Sequence, residues 1–141
     1  LPDVSIQKAR ANMDNFINNS HYKVEENSID DGFNKASLVG RSFYVVDDDE
    51  NDGIYNLGDY ITFTETKIIN NTKDENYSYY IKDGELFVDS DTKLVLRDII
   101  KNGYISGDVI KFDDVSDGDI NQYLVSDKSE AEKLVTYLNN G

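Results

Sequence analysis

An α+β fold, in which an antiparallel meander curls into a small β-barrel or strongly curved sheet with an amphipathic helix at each terminus, is predicted by three observations. From Leu38 onward, apolar and polar residues alternate in short runs, the period of half-buried strands. Tight-turn dipeptides, Asp83-Gly84 and Asn102-Gly103, separate successive runs. At both chain ends the period changes to three and four, the spacing of a helix with one apolar stripe.

Residues 4–19 form the expected first helix, with Ile6, Ala9, Met13, Phe16 and Ile17 on one face and Pro2, Asp3 and Ser5 at its start. His21 to Asn34 is polar and mixed, and is expected to cross the surface before the first strand. Ser42 to Val46 reads as a strand, and Tyr60 to Ile69, rich in Thr and Ile, as a longer one. Asn76 to Lys82 and Glu85 to Asp89 make a hairpin across Asp83-Gly84, where both turn positions need positive φ. Lys93 to Ile100 and Tyr104 to Phe112 make a second hairpin, and Ile120 to Val125 one more strand. Lys128 to Asn139 closes the chain as a helix, capped by Asp127 with Glu130 three residues on. Its stripe is Ala131, Leu134, Val135 and Leu138. With 141 residues, the chain is expected to be a single domain around one sheet.

The charge balance narrows the partners. With 28 acidic residues against 14 basic and a net charge of −14, the surface repels nucleic-acid phosphates and anionic lipid heads. No apolar run approaches the roughly 20 residues needed to cross a bilayer as a helix, so membrane insertion is not expected. The chain has no cysteine, which removes disulfides and thiol chemistry. The sequence starts at Leu1, and the expectation drawn from it is a secreted, periplasmic or cell-surface protein.

The candidate chemistry concentrates in one loop. Asp47, Asp48, Asp49, Glu50, Asn51 and Asp52 precede Gly53, directly after the apolar run Phe43-Tyr44-Val45-Val46. Carboxylates crowded this closely repel one another unless a cation sits among them, and calcium takes six to eight oxygens from short acidic loops of this kind. Asp48, Glu50 and Asp52 fall at calcium-loop positions one, three and five, Ile54 at seven, and Asp59 at twelve, where a glutamate is usual. Asp47, Asp49 and Asn51 form the alternate register. An acidic surface turn without an ion is the competing reading; the spacing favours calcium as a stabilising cofactor. A second acidic run, Asp113 to Asp119, reads first as a solvated turn, or else as another calcium site or a further contribution to the same rim. His21 is the only histidine, and no nucleophile elbow or phosphate-cradling glycine loop accompanies it, so an enzyme is not expected.

Several segments resemble small bacterial lipocalin-like domains. Leu38-Val39-Gly40-Arg41-Ser42-Phe43 looks like the opening of their first barrel strand, Ile61-Thr62-Phe63-Thr64 like the strand after it, and Tyr79 through Val88 like their central hairpin. The resemblance spans about residues 38–112. Phe43 stands where such domains usually carry Trp, and neither the acidic loop nor an N-terminal helix is a family feature. The resemblance implies a barrel mouth able to take a small apolar ligand, with Phe43, Phe63, Tyr79, Ile81, Leu86 and Leu96 pointing inward. The functional expectation is thus a non-enzymatic exported binding or structural module, calcium-stabilised through residues 47–59. The alternatives are a lipocalin-like carrier of a small apolar molecule, or a carbohydrate-binding module that uses tyrosines such as Tyr77, Tyr79 and Tyr80, with Tyr55 and Tyr60 beside the acidic loop.

Overall fold

A computed structural model describes residues 22–24, 32–89, 91–102, 109–118 and 120–140. Its strands are β1 (Tyr22–Val24), β2 (Ser42–Asp47), β3 (Asn56–Phe63), β4 (Lys67–Asn70), β5 (Glu75–Lys82), β6 (Glu85–Val88), β7 (Thr92–Asn102), β8 (Val109–Asp114) and β9 (Ile120–Val125). Each of β2 to β9 pairs antiparallel with the next, and β9 returns to β2, so eight strands close as an up-and-down barrel. Among the described residues, closure gives each strand from β2 to β9 a partner on both sides, which leaves little edge to recruit another chain. A C-terminal helix, Lys128–Asn140, packs on the outside of β2, β3 and β9.

Two apolar clusters follow from the two faces of the strands. Inside the barrel, Phe43, Phe63, Tyr79, Leu86, Leu96, Ile110, Phe112 and Leu124 pack together, with Ile81 half-buried against them. The rings meet edge-on, Phe43 to Phe63 at 5.9 Å and Phe63 to Tyr79 at 5.6 Å between centroids, the arrangement favoured by the aromatic quadrupole. Outside, Val46, Val109, Tyr123 and Val125 meet Ala131, Leu134 and Leu138 of the helix. The helix starts as its sequence requires: Asp127 Oδ1 accepts the Glu130 amide at 3.0 Å.

Several expectations need correction. The long strand expected over Tyr60–Ile69 is two strands joined by Thr64–Thr66, because the Thr64 side chain accepts the Lys67 amide at 2.9 Å and turns the chain. The polar stretch before the barrel is not all surface. Tyr22–Val24 pairs with the far end of β7, where β6 no longer runs beside it. Phe33 is buried in the interior cluster. The expected N-terminal helix over residues 4–19 lies outside the described residues, as does Gly103 of the second hairpin. The first hairpin forms as read, with φ of 54° at Asp83 and 77° at Gly84.

The meander gives the barrel two unlike ends. Connections after β3 and β5 lie at one end, and the segment 32–41 is seated there. The Phe33 amide donates to Gly84 O at 2.8 Å, Gly40 N to Phe63 O at 2.9 Å, and Lys35 Nζ to Glu65 O. Gly32 has φ of +68°, and a β-carbon on it would sit 2.5 Å from Gly84 O, so only glycine allows this contact. Phe33 and Leu38 thereby close this end from within. Connections after β2, β4, β6 and β8 share the opposite end, which brings the acidic runs near residues 48 and 114 to one rim.

Candidate functional site: the acidic mouth of the barrel

Strand parity sorts the acidic loop. On β2, Phe43 and Val45 face inward and Val46 outward, and the same alternation carries Asp47 to the inner side of the rim. Opposite it, Tyr44 pairs with Tyr60 but Val46 with Leu57, so β3 carries one extra residue between those pairs. Such a bulge re-aims side chains beside it. Here it lies at Gly58 and Asp59. Gly58 lets the chains approach closely: a β-carbon there would lie 3.1 Å from Val45 O and 3.5 Å from an Asp47 carboxylate oxygen.

The result is a cavity of about 320 Å³ at the open end. Asp47, Asp49, Asp59 and Lys73 supply its charges, and Val45, Leu57 and Ile61 its apolar wall. Asn56 and Gly58 complete the lining. Its size lies at the small end of the range usual for small-molecule sites. Asp59 is fixed by Asn70, whose Nδ2 donates to it at 2.8 Å. The same Asn70, itself buried, accepts the Thr72 and Lys73 amides at 3.0 Å each. One buried amide therefore sets both the acid on β3 and the turn that carries Lys73.

Asp47 feels this crowding most. Burial pushes its carboxyl up to about 6, Asp49, Asp59 and Asp48 push in the same direction, and Lys73 opposes them. Lys73 Nζ stands 3.6 Å from Asp59 Oδ2, with its side chain largely exposed.

Asp48 has a different task. It is buried, and its two carboxylate oxygens accept the Asp52 amide at 3.0 Å and the Gly53 amide at 2.6 Å. Burial raises its proton affinity and those two amides lower it. Asp52 in turn accepts the Ile54 amide at 3.0 Å, and Asn51 N donates to Asp48 O at 3.1 Å with φ of 53° at Asn51. The loop is closed by its own backbone donors. Glu50 is exposed. Of the residues expected to share one calcium ion, Asp47, Asp49 and Asp59 line the cavity, while Asp48 and Asp52 brace the loop. Among the described residues, no three acidic, histidine or cysteine side chains are grouped closely enough to hold a metal ion.

The second acidic run is likewise divided. Asp113 is buried on the outer face, 2.7 Å from Arg97 Nε. Asp114 accepts the Ser116 amide at 3.1 Å, and Ser116 Oγ, accepting from Lys93 N at 2.6 Å and donating to Asp91 O at 3.0 Å, ties this turn to the start of β7. The tyrosines mostly pack. Tyr79 donates to Thr64 O from inside, Tyr77 donates to Glu75, Tyr44 and Tyr60 pack with tilted rings 4.4 Å apart, and Tyr80 stacks on Phe87 at 4.9 Å outside. Tyr55 is buried beside Tyr123, its backbone held at both N–H and C=O by the Asn139 side chain.

The six residues expected to line a ligand cavity, Phe43, Phe63, Tyr79, Ile81, Leu86 and Leu96, share the interior cluster, where they pack on one another. Sequence reading missed Lys73, Asn70 and Gly58. The signal for Lys73 lay in Asn70-Asn71-Thr72-Lys73-Asp74, a polar run rich in turn-forming residues that follows the apolar pair Ile68-Ile69. No helix among the described residues is long and apolar enough to cross a membrane.

No protein-family model matches the chain, and no curated protein or solved structure matches it significantly. The architecture, an eight-stranded antiparallel barrel with one C-terminal helix, is compatible with a lipocalin-like fold.

Proposed function

We propose that the chain is a non-enzymatic binding module of lipocalin-like build, and that its ligand is a small organic cation, an amine on an apolar stem, held at the barrel mouth. The observation that carries this reading is the cavity itself: three carboxylates set against Val45, Leu57 and Ile61. An ammonium group suits such a site because it is satisfied by carboxylates approaching from several sides, while its stem covers apolar wall. The interior cluster, already packed with aromatic and aliphatic side chains, supports the mouth as the binding region over the barrel axis. The net charge of −14 would steer cations toward it.

A second reading keeps calcium as the ligand, bridging Asp47, Asp49 and Asp59. The observation favouring it is that, beyond the larger effect of burial, Asp49, Asp59 and Asp48 each raise the proton affinity of Asp47, a crowding of charge that a divalent ion would relieve. The absence of a ready-made metal grouping among the described residues ranks it below the amine.

One titration tests both. Butylamine, 1,4-diaminobutane and calcium chloride are added separately to the protein at low ionic strength and neutral pH, with amide chemical shifts and heat as readouts. The expected result is saturable amine binding that perturbs residues 45–49, 56–61 and 73. Asp47→Asn and Asp59→Asn should each weaken it about tenfold, the equivalent of one charge-assisted contact. Saturable calcium binding without amine binding would select the second reading. Shifts that stay scattered and unsaturated into the millimolar range for all three would refute both.

A further inference from the structure

We propose that the Lys73 ammonium is a tethered occupant of the mouth cavity, which an incoming amine must displace from Asp59. This rests on the amine reading and identifies the residue that sets its affinity.

Four features carry it. Among the described residues, Lys73 is the only cationic side chain lining the cavity, beside Asp47, Asp49 and Asp59. Its ammonium is chemically the group the cavity would bind, delivered from the protein's own turn. Its pairing is loose: 3.6 Å is too long for a hydrogen bond, and the side chain is 60 % exposed. Its mounting is firm. Asn70 holds the Thr72 and Lys73 amides, Thr72 Oγ1 accepts from Tyr60 N at 2.9 Å, and Asn71 N donates to Tyr60 O at 2.8 Å. The backbone thus keeps Lys73 at the rim while its four-carbon arm is free to leave. Asp59 keeps its hydrogen bond from Asn70 when the ammonium departs, so displacement strands no buried charge.

Exposed pairs of this kind contribute at most about 1 kcal/mol, which as a competitor corresponds to about fivefold in affinity. Lys73→Gln should therefore bind butylamine about fivefold more tightly than the parent protein, and Lys73→Arg should not. Lys82→Gln is the control. It makes the same change in net charge on an exposed residue at the end of β5, by the closed end of the barrel. A second readout needs no ligand: the carboxyl carbon of Asp47, followed by NMR across pH, should titrate at higher pH in Lys73→Gln and at its original pH in Lys82→Gln.

An affinity gain confined to Lys73→Gln, with the Asp47 titration moved, supports the proposal. An equal gain in Lys82→Gln, or an unmoved Asp47 titration, overturns it. If no variant binds an amine yet Asp47 still moves in Lys73→Gln alone, the amine function and the displacement fall together, and only the pairing of Lys73 with the cavity's carboxylates stands.

Discussion

Asp48→Ala separates a loop closed by backbone amides from one closed by a cation. In the folded chain the Asp48 carboxylate takes two N–H groups, from Asp52 and from the buried Gly53. Removing it leaves both donors without that acceptor. A buried donor stripped of its partner costs about 1–3 kcal/mol, and the more exposed Asp52 amide can turn to water. Burial of the carboxylate is itself unfavourable, and its loss offsets part of that cost. The expected destabilisation is about 1–2 kcal/mol. For a chain of this size that corresponds to a fall of about 3–7 °C in Tm. Asp48→Asn should lie between, since one of its two amide positions presents N–H to N–H. The assay is thermal and urea denaturation at pH 7, with excess chelator and again with excess calcium. Amide closure requires the loss to be the same size in both. A loss that appears only with calcium present would refute this account of the loop, because the carboxylate would then act through the ion.

Three further outcomes follow from the same geometry. Asp47 has a folded-state pKa near 6, above its unfolded value, so the folded chain holds an extra proton between roughly pH 4 and 6. Stability contributed by that proton is present at low pH and lost as pH rises through 6; Asp47→Asn should flatten this fall and gain about 1 kcal/mol at pH 7 after solvent screening, read from urea midpoints at pH 4.5 and 7. Leu134→Ala and Leu138→Ala, both fully buried against the barrel's outer face, should each cost about 2–5 kcal/mol with an unchanged denaturant slope. Gly32→Ala should free the Phe33 amide from Gly84 O, seen as faster hydrogen exchange there, while the Asn71 amide, bonded to Tyr60 O at the opposite end, keeps its protection.

The parts of the fold legible in the sequence were those fixed by local rules. The Asp83-Gly84 turn needs positive φ twice, and the C-terminal helix announces its cap at Asp127 and its stripe through Leu138. The break between β3 and β4 was not legible, because Thr64-Glu65-Thr66 has the composition of a strand and turns through hydrogen bonds between Thr64 and Lys67, from both the Thr64 backbone and its side chain. Phe33 was missed for another reason. It stands alone among polar residues, and only the finished barrel end gives it a place to be buried.

Strand parity explains how the folded chain divides the acidic loop between cavity and brace. Composition fixes where carboxylates crowd, and two alternating registers, 47 with 49 and 48 with 52, are equally visible in it. Phe43 is interior, so the period of two carries the inner face through Val45 to Asp47, the last residue of β2. That step could have been taken from the sequence. Beyond Asp47 the chain leaves the extended conformation, and parity no longer applies: Asp48 folds its carboxylate back onto the amides of Asp52 and Gly53. Asp59 was out of reach of any such rule. Its aim depends on the bulge in β3 and on Asn70 from the neighbouring strand, contacts that exist only once the barrel has closed. The cavity is therefore a tertiary feature built on one locally specified residue, which is why removing Asp47 should affect both cation binding and the pH dependence of stability, while removing Asp48 should affect stability alone.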